Sequence, residues 1–306
     1  MIRGSLGEAA RAHPGAATFR AGGFEVQRLS CDPDAFLVRD FVGLRERQEL
    51  IYHLKGVQEE AKDPEVWCHV PPPFQAVRDP LGVMIDAARR TLKRVGPPFP
   101  QQCFKGKLAS FLKKEWPPSS FSALVGEGQV NAVERIDARM TALTGWGRET
   151  STFFPQLMEY APGSDQPSGT SSSGYGYGLH TDCSDFFGEH ALAERSHTLL
   201  VYLTTVTQGG ETVFPHLGSQ EVTVEPVAGD MIIFANLHED GRCSPNSAHE
   251  AAAVAKGEKI VLQKWFCTEH KGAANQHGRC HGSRSGAGPA TAITCEGASC
   301  REFRTK

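Results

Sequence analysis

Two histidines and an aspartate are the residues of this chain whose types and spacing could hold a metal ion. On a strand, residues i and i+2 face the same way, so His180 and Asp182 can reach one ion together while Thr181 points aside. His249, from a distant segment, supplies a third donor. Two imidazoles and one carboxylate on one face, with the opposite positions left open, form the donor set of mononuclear iron(II) centres. The tripeptide alone is weak, because twelve histidines and as many aspartates in 306 residues produce about half of one His-x-Asp by chance. The weight lies in its combination with His249, with the Gly209-Gly210-Glu211-Thr212 run and with Lys259.

Those residues need a scaffold that brings distant segments together. From Gln156 onward the hydrophobic period is two. Gln156–Tyr160, His197–Val206, Gln220–Val224, Met231–Ala235 and Lys259–Cys267 are short, rich in β-branched and aromatic residues, and bounded by Gly, Pro or Asn. Many short strands without intervening helices imply an all-β barrel or jelly roll, with the metal candidates at strand ends. Upstream the period changes. Phe36–Phe41 reads as a strand, whereas Arg45–Lys55, Val83–Val95 and Gln129–Leu143 carry helical spacing, the last stopped by Thr144-Gly145. The expected class is therefore α+β, a double-stranded β-helix (jelly-roll, cupin-like) core flanked by N-terminal helices. Its expected parts are a flexible segment 1–24, a mainly helical part 25–150, the core 151–268 and a Cys/His/Gly-rich tail 269–306. Ser164–Gly178 reads as a flexible loop over the site.

Composition narrows the function classes. With 40% apolar and 22% charged residues and a net charge of -3, the chain is an ordinary globular protein without the basic excess that would point to nucleic acid. No run is long and apolar enough to span a membrane. The first residues lack the apolar core of a secretory signal. Cytoplasmic residence is expected, with organelle import as the alternative because Arg3, Arg11 and Arg20 outnumber Glu8. Nine cysteines, five of them scattered (Cys31, Cys68, Cys103, Cys183, Cys243), read as mostly reduced thiols. The tail's His270, His277, Cys280, His281, Cys295 and Cys300 fit no standard zinc-finger spacing.

One stretch, about residues 155–267, resembles a known family. Tyr160-Ala-Pro-Gly163, Tyr177-x-x-His180-x-Asp182, Thr198-Leu-Leu-Val-Tyr202-Leu203, Gly209–Pro215, Gly229-Asp230 with Phe234, Asp240-Gly241, Ser247-x-His249, Gly257-x-Lys259 and Trp265 are similar to the prolyl 4-hydroxylase-like branch of the 2-oxoglutarate and iron(II) dependent dioxygenases. The resemblance implies that His180, Asp182 and His249 bind iron(II) and that Lys259 pairs with the distal carboxylate of 2-oxoglutarate. Tyr160, Thr198 and Tyr177 would serve the same cosubstrate. It further implies dioxygen as second substrate, ascorbate as reductant, and hydroxylation of an unactivated C–H bond coupled to decarboxylation of 2-oxoglutarate. Asp182 favours hydroxylation, since related halogenases carry a small residue there.

Prolyl residues of a peptide or protein are the expected substrate. A free amino acid or other small metabolite is the alternative, and a non-catalytic jelly-roll binding module is the reading from another class. The remaining residues carry blander readings. Gly209-Gly210-Glu211-Thr212 reads as a tight turn at the barrel rim rather than a phosphate loop, since no helix follows. Arg195, His216 and Trp265 are candidate substrate contacts, each with a competing reading: surface arginine, solvated histidine and core aromatic. His190, His197 and His238 read as solvated or hydrogen-bonded. Oligomeric state is not readable.

Overall fold

In the computed structural model, the described residues are 2, 4–60, 62, 66–68, 93–94, 103–105, 120–125, 128–146, 155–160, 177–183, 195–218, 220–238, 242–266, 293–296 and 299–302. Two sheets carry the site. The larger is built from β1 (Thr18–Ala21), β2 (Phe24–Cys31), β3 (Asp34–Val38), β7 (Ser120–Leu124), β8 (Gln156–Tyr160), β10 (His197–Tyr202), β14 (Met231–Ala235) and β17 (Lys259–Phe266). Its spatial order is β1-β2-β3-β14-β10-β17-β8-β7. The smaller runs β13-β12-β15-β9, from β9 (Tyr177–His180), β12 (Thr212–Leu217), β13 (Gln220–Val224) and β15 (His249–Ala251). Short pairs complete the set: β11 (Gln208–Gly209) with β16 (Val254–Lys256), and β4 (Val66–Cys68) and β5 (Lys93–Arg94) flanking β6 (Cys103–Lys105). The last is a hairpin of β18 (Ile293–Glu296) and β19 (Ser299–Glu302).

Strand alternation sorts the large sheet's side chains into two cores. Leu199 and Val201 of β10, Met231 and Ile233 of β14, and Ile260 and Leu262 of β17 face a helical layer. That layer is α1 (Ser5–Ala12), α2 (Leu44–Glu60) and α3 (Asn131–Thr144), which contribute Leu6, Leu50, Leu54, Ile136 and Met140. The residues between them, Leu200, Tyr202, Ile232, Phe234 and Val261, turn the other way and meet Phe214, Leu217 and Val224 of the small sheet. The second core is the inside of the sandwich. Thr198, Lys259 and Trp265 share its parity, so the same alternation that builds the core delivers polar groups to it.

Ion pairs fasten the layers. Lys264 of β17, 4% exposed, donates to Asp137 of α3 at 2.6 Å. Arg135 and Arg139 of α3 clamp Glu46 of α2. Asp230, 2% exposed, accepts from Arg39 at 2.7 Å and from the Asp40 amide at 3.0 Å, holding Asp40 at φ 50. Of these only Lys264–Asp137 is largely buried on both sides, and removing one of its partners would leave the other charge uncompensated, at a cost of about 3–5 kcal/mol.

Several expectations need correction. The described residues of 1–24, expected as a flexible segment, carry ordered elements. α1 and β1 lie there, with Ile2, Leu6, Phe19 and Ala21 buried in the helix-facing core. The described elements of 25–150, expected as a mainly helical part packing on the barrel, do not all form a helical layer. β2, β3 and β7 from that stretch are strands of the large sheet, continuous with β14 and β8. Of the helix expected over Val83–Val95, only Lys93 and Arg94 are described, and they pair as a strand with Lys105 and Phe104. Cys183 and Cys243, read as free thiols, are joined in a disulfide. Two helices came where the spacing placed them: α2 extends the expected Arg45–Lys55, and α3 stops at Gly145, which takes φ 74. Ser164–Gly176, His190, Asp240-Gly241 and His270–His281 lie outside the described residues.

Candidate metal centre

His249 opens β15 and His180 closes β9, and the two are direct partners across that antiparallel pair. Their rings lie 4.4 Å apart between centroids. Asp182 is not on the strand: β9 ends at His180 and the aspartate sits in the bend beyond, where Thr181 donates to the Cys183 carbonyl at 2.9 Å. The expected i, i+2 strand geometry is thus replaced by a turn with the same outcome. Asp182 Oδ1 lies 3.6 Å from His180 Nε2, and Oδ2 lies 3.8 Å from His249 Nε2. All three donor atoms fall within 4.8 Å of one another.

Whether an ion fits is decided by the far side of each ring. His180 Nδ1 lies 2.7 Å from the Gly178 carbonyl and His249 Nδ1 lies 3.0 Å from the Ser247 carbonyl. A carbonyl only accepts, so both Nδ1 atoms carry the proton and both Nε2 lone pairs are left facing Asp182. Ligands about 2.1 Å from a common ion sit roughly 3 Å apart when adjacent, so each carboxylate–imidazole pair needs to close by less than about 1 Å and the two imidazole nitrogens by less than about 2 Å. Phe214 and Phe234 bracket the His249 ring at 5.4 and 4.9 Å and fix its plane.

Against this geometry the relatives can be placed. The sequence pattern described as the 2OG-Fe(II) oxygenase superfamily matches residues 168–267, which contain His180, Asp182, His249 and Lys259. This stretch is similar to the 2OG-Fe(II) oxygenase superfamily. Probable prolyl 4-hydroxylase 6 of Arabidopsis thaliana is 31% identical over 156 residues, covering 45% of this chain and 49% of its own. Prolyl 4-hydroxylase 1 of the same plant is 34% identical over 97 residues, 28% of this chain and 34% of its own. The chain therefore spans half or less of the length of these relatives. Among solved structures, the 2OG complex of the viral collagen prolyl hydroxylase vCPH from Paramecium Bursaria Chlorella virus-1 superposes with a TM-score of 0.41. The identity is 19%, over 61% of this chain and 90% of that one.

Electrostatics inside the site follow from burial. Burial alone would push the Asp182 carboxyl up; the facing His180, His249 and Arg195 outweigh it and hold the carboxyl far below the usual carboxylate range. Burial, helped by the charge of His180 and opposed by Asp182, lowers His249 to about 4. At neutral pH the site is a carboxylate facing a neutral imidazole, the protonation states that ligation requires. Lys259 is 2% exposed with its Nζ 4.9 Å over the Tyr160 ring. Burial pulls it down to about 7, against the charge of Glu211. Its charge reaches His249, so both open on the same interior.

The other expected site residues divide. Tyr160 is the cross-strand partner of Lys259. Arg195 lies with its guanidinium 3.8 Å over the Trp265 ring, and Trp265 is the cross-strand partner of Thr198, so both border the site. Tyr177 pairs with Ala251 at an irregularity between β9 and β15. His216 is exposed on β12 and lies outside the three-residue cluster. Thr198, expected to face a cosubstrate, donates to Asp182 Oδ2 at 2.5 Å. His197, expected to be solvated or hydrogen-bonded, is buried against Trp146 at 4.4 Å with its Nδ1 3.1 Å from Ser196 Oγ; burial lowers it to about 3. The Gly209-Gly210-Glu211-Thr212 run, expected as a tight turn, instead takes Gly209 from the irregular end of β11 through Gly210 into β12; both glycines are at φ 76, and a Cβ on Gly209 would meet the Ala253 carbonyl oxygen at 2.2 Å. Asn236 was missed, although it follows β14 with the inward parity of Phe234, which is the signal that could have found it.

Proposed function

We propose that the chain is an iron(II) and 2-oxoglutarate dependent dioxygenase that hydroxylates prolyl residues in a peptide or protein. The observation that carries this reading is the convergence of two Nε2 lone pairs on one carboxylate, each imidazole locked by a backbone carbonyl on its far side. His180, Asp182 and His249 hold iron(II), which with 2-oxoglutarate supplies the activation of dioxygen and the oxidising power for C–H hydroxylation. Lys259 meets the distal carboxylate of 2-oxoglutarate, with Tyr160 beside it, and Tyr177 lies at the same end of the small sheet. The inward aromatic wall of Phe214 and Phe234 excludes water from the ligand side of His249. Arg195 and Trp265 form one edge of the opening and are the substrate contacts best supported by position. Ascorbate would restore iron(II) after turnovers uncoupled from substrate.

In fold terms, the large and small sheets are read as the two faces of a double-stranded β-helix, with the three helices as its outer support. The preference for prolyl substrates is supported by the Arabidopsis relatives named above, and it is the part a substrate screen decides. Reconstitution with iron(II) and 2-oxoglutarate without oxygen should produce the visible charge-transfer absorption of the chelate. Admission of air with a proline-rich peptide panel should then release succinate and add the mass of one oxygen to the peptide. Hydroxylation confined to a metabolite panel would replace the substrate class, and absence of the absorption band would leave a binding module. Substitution Asp182→Ala should abolish iron-dependent succinate formation, and undiminished turnover in that variant would overturn the metal assignment.

A further inference from the structure

Behind the carboxylate of Asp182 runs a chain of buried groups that the proposed chemistry does not itself use. Thr198 Oγ1 donates to Asp182 Oδ2 at 2.5 Å, and Asn236 Nδ2 donates to Thr198 Oγ1 at 2.9 Å. Thr198 and Asn236 are both fully buried. The direction of donation is fixed by chemistry. A carboxylate can only accept, so the single proton of Thr198 must go to Asp182, and the lone pair that remains on Oγ1 needs a donor, which the amide supplies. With the amide reversed, the hydroxyl would have two acceptors and one proton.

Asn236 is itself held rigidly. Its amide N–H donates to the Ser196 carbonyl and its carbonyl accepts from the Ser244 amide, both at 2.8 Å, while the sulfur of Cys183 lies 3.1 Å from the same carbonyl oxygen. It therefore joins three segments: the lead-in to β10, the approach to His249, and the residue next to Asp182. Its side-chain Oδ1 is buried and has no partner among the described residues. A purely structural asparagine would engage both ends of its amide, because a buried acceptor left unpaired costs about 1–3 kcal/mol. This one keeps that cost and commits Nδ2 to Thr198.

We propose that Asn236 and Thr198 are positioning residues that occupy Asp182 Oδ2 and so present Asp182 to iron(II) through Oδ1 alone. The inference rests on reading the triad as the iron site. A carboxylate confined to one oxygen leaves the remaining positions of the ion for other ligands, whereas a released carboxylate can chelate through both oxygens and occupy one of them. Hydrogen-bond partners behind a ligand typically contribute 10–100-fold to metal affinity.

The test uses the whole chain with cobalt(II) as a spectroscopic stand-in, without 2-oxoglutarate and without turnover. Asn236→Ala and Thr198→Val should each weaken cobalt(II) binding by about ten-fold or more and alter the visible d–d spectrum, which reports coordination number. Thr198→Ser, which keeps the hydroxyl, should stay within about three-fold of the parent. The double variant Asn236→Ala/Thr198→Val should be no weaker than Thr198→Val, because Asn236 acts through Thr198. Full multiplication of the two losses, or an Asn236→Ala protein with parental affinity and spectrum, would overturn the relay. Should Asn236→Ala not fold, the valine and serine variants at 198 decide the step next to the metal: equal affinities overturn it and a ten-fold gap supports it. Failure of the parent protein to bind cobalt(II) would instead remove the iron-site reading, and the relay with it.

Discussion

Between pH 6 and pH 8 the ligand-free protein converts Lys259 from ammonium to amine, because burial has brought the group down to about 7. A cosubstrate that enters with an ionised distal carboxylate needs the ammonium form. When only the protonated site binds, affinity falls with the fraction protonated, so 2-oxoglutarate should bind about ten-fold more weakly at pH 8 than at pH 6, approaching ten-fold per pH unit above that. The sign follows from the depressed pKa: the folded protein has lost a proton that ligand binding must put back, so binding takes up about one proton at pH 8 and almost none at pH 6. For a lysine at its ordinary value near 10.4, the same range would be flat.

Isothermal titration calorimetry of 2-oxoglutarate into metal-loaded, oxygen-free protein measures both quantities, since repeating it in buffers of different ionisation enthalpy counts the protons. Lys259→Met, similar in length but uncharged, should be weak at every pH; losing a charge-assisted hydrogen bond at a buried site costs about 1.5–3 kcal/mol, roughly 10–100-fold. Its proton uptake at pH 8 should vanish. Lys259→Arg keeps its charge throughout and should flatten the profile wherever the larger guanidinium is accommodated. Equal affinity at pH 6 and pH 8 in the parent protein, with no proton uptake, would refute the reasoning and take Lys259 out of the cosubstrate site.

Three further expectations follow from the same geometry. Glu211 opposes the downward shift of Lys259, so Glu211→Gln should lower that pKa further and move the decline in 2-oxoglutarate affinity to lower pH; an unmoved calorimetric profile would show that its charge does not reach the amine. The Cys183–Cys243 disulfide closes a loop of 60 residues next to Asp182, so Cys243→Ser should lose about 4 kcal/mol of stability on the chain-entropy account; denaturant unfolding of parent and variant measures it, and superimposable curves would count against the tie. Phe214 is fully buried against both Phe234 and His249, so Phe214→Ala should cost about 3–5 kcal/mol and also weaken metal binding by loosening the imidazole; a stability loss with unchanged metal affinity would confine Phe214 to the core.

What the sequence disclosed and what it hid follow the range of the interactions involved. Period-two patterning is local, so β8, β13 and β14 are found with the bounds that the residues suggest, and α3 ends at the glycine that its left-handed conformation requires. β12 escaped notice because Pro215 and the paired glycines before Thr212 break the pattern, although Thr212 and Phe214 alternate inward as a strand demands. α1 and β1 were hidden for a different reason. Their few apolar residues, Leu6, Phe19 and Ala21, carry too little periodicity alone and are recognisable as core only once the large sheet and α3 cover them. The triad illustrates both cases. His180 and His249 are legible as donors because imidazoles at strand ends are rare and chemically specific. The group that orients Asp182 is an asparagine 54 residues downstream, separated from it by two further chain segments, and nothing local marks it. Residues that touch a metal are betrayed by their type, whereas residues that aim a ligand are defined by what lies within 3 Å of them in the folded chain. The positioning residues of such a site therefore come from structure, and a sequence motif that names only the ligands describes its chemistry without its geometry.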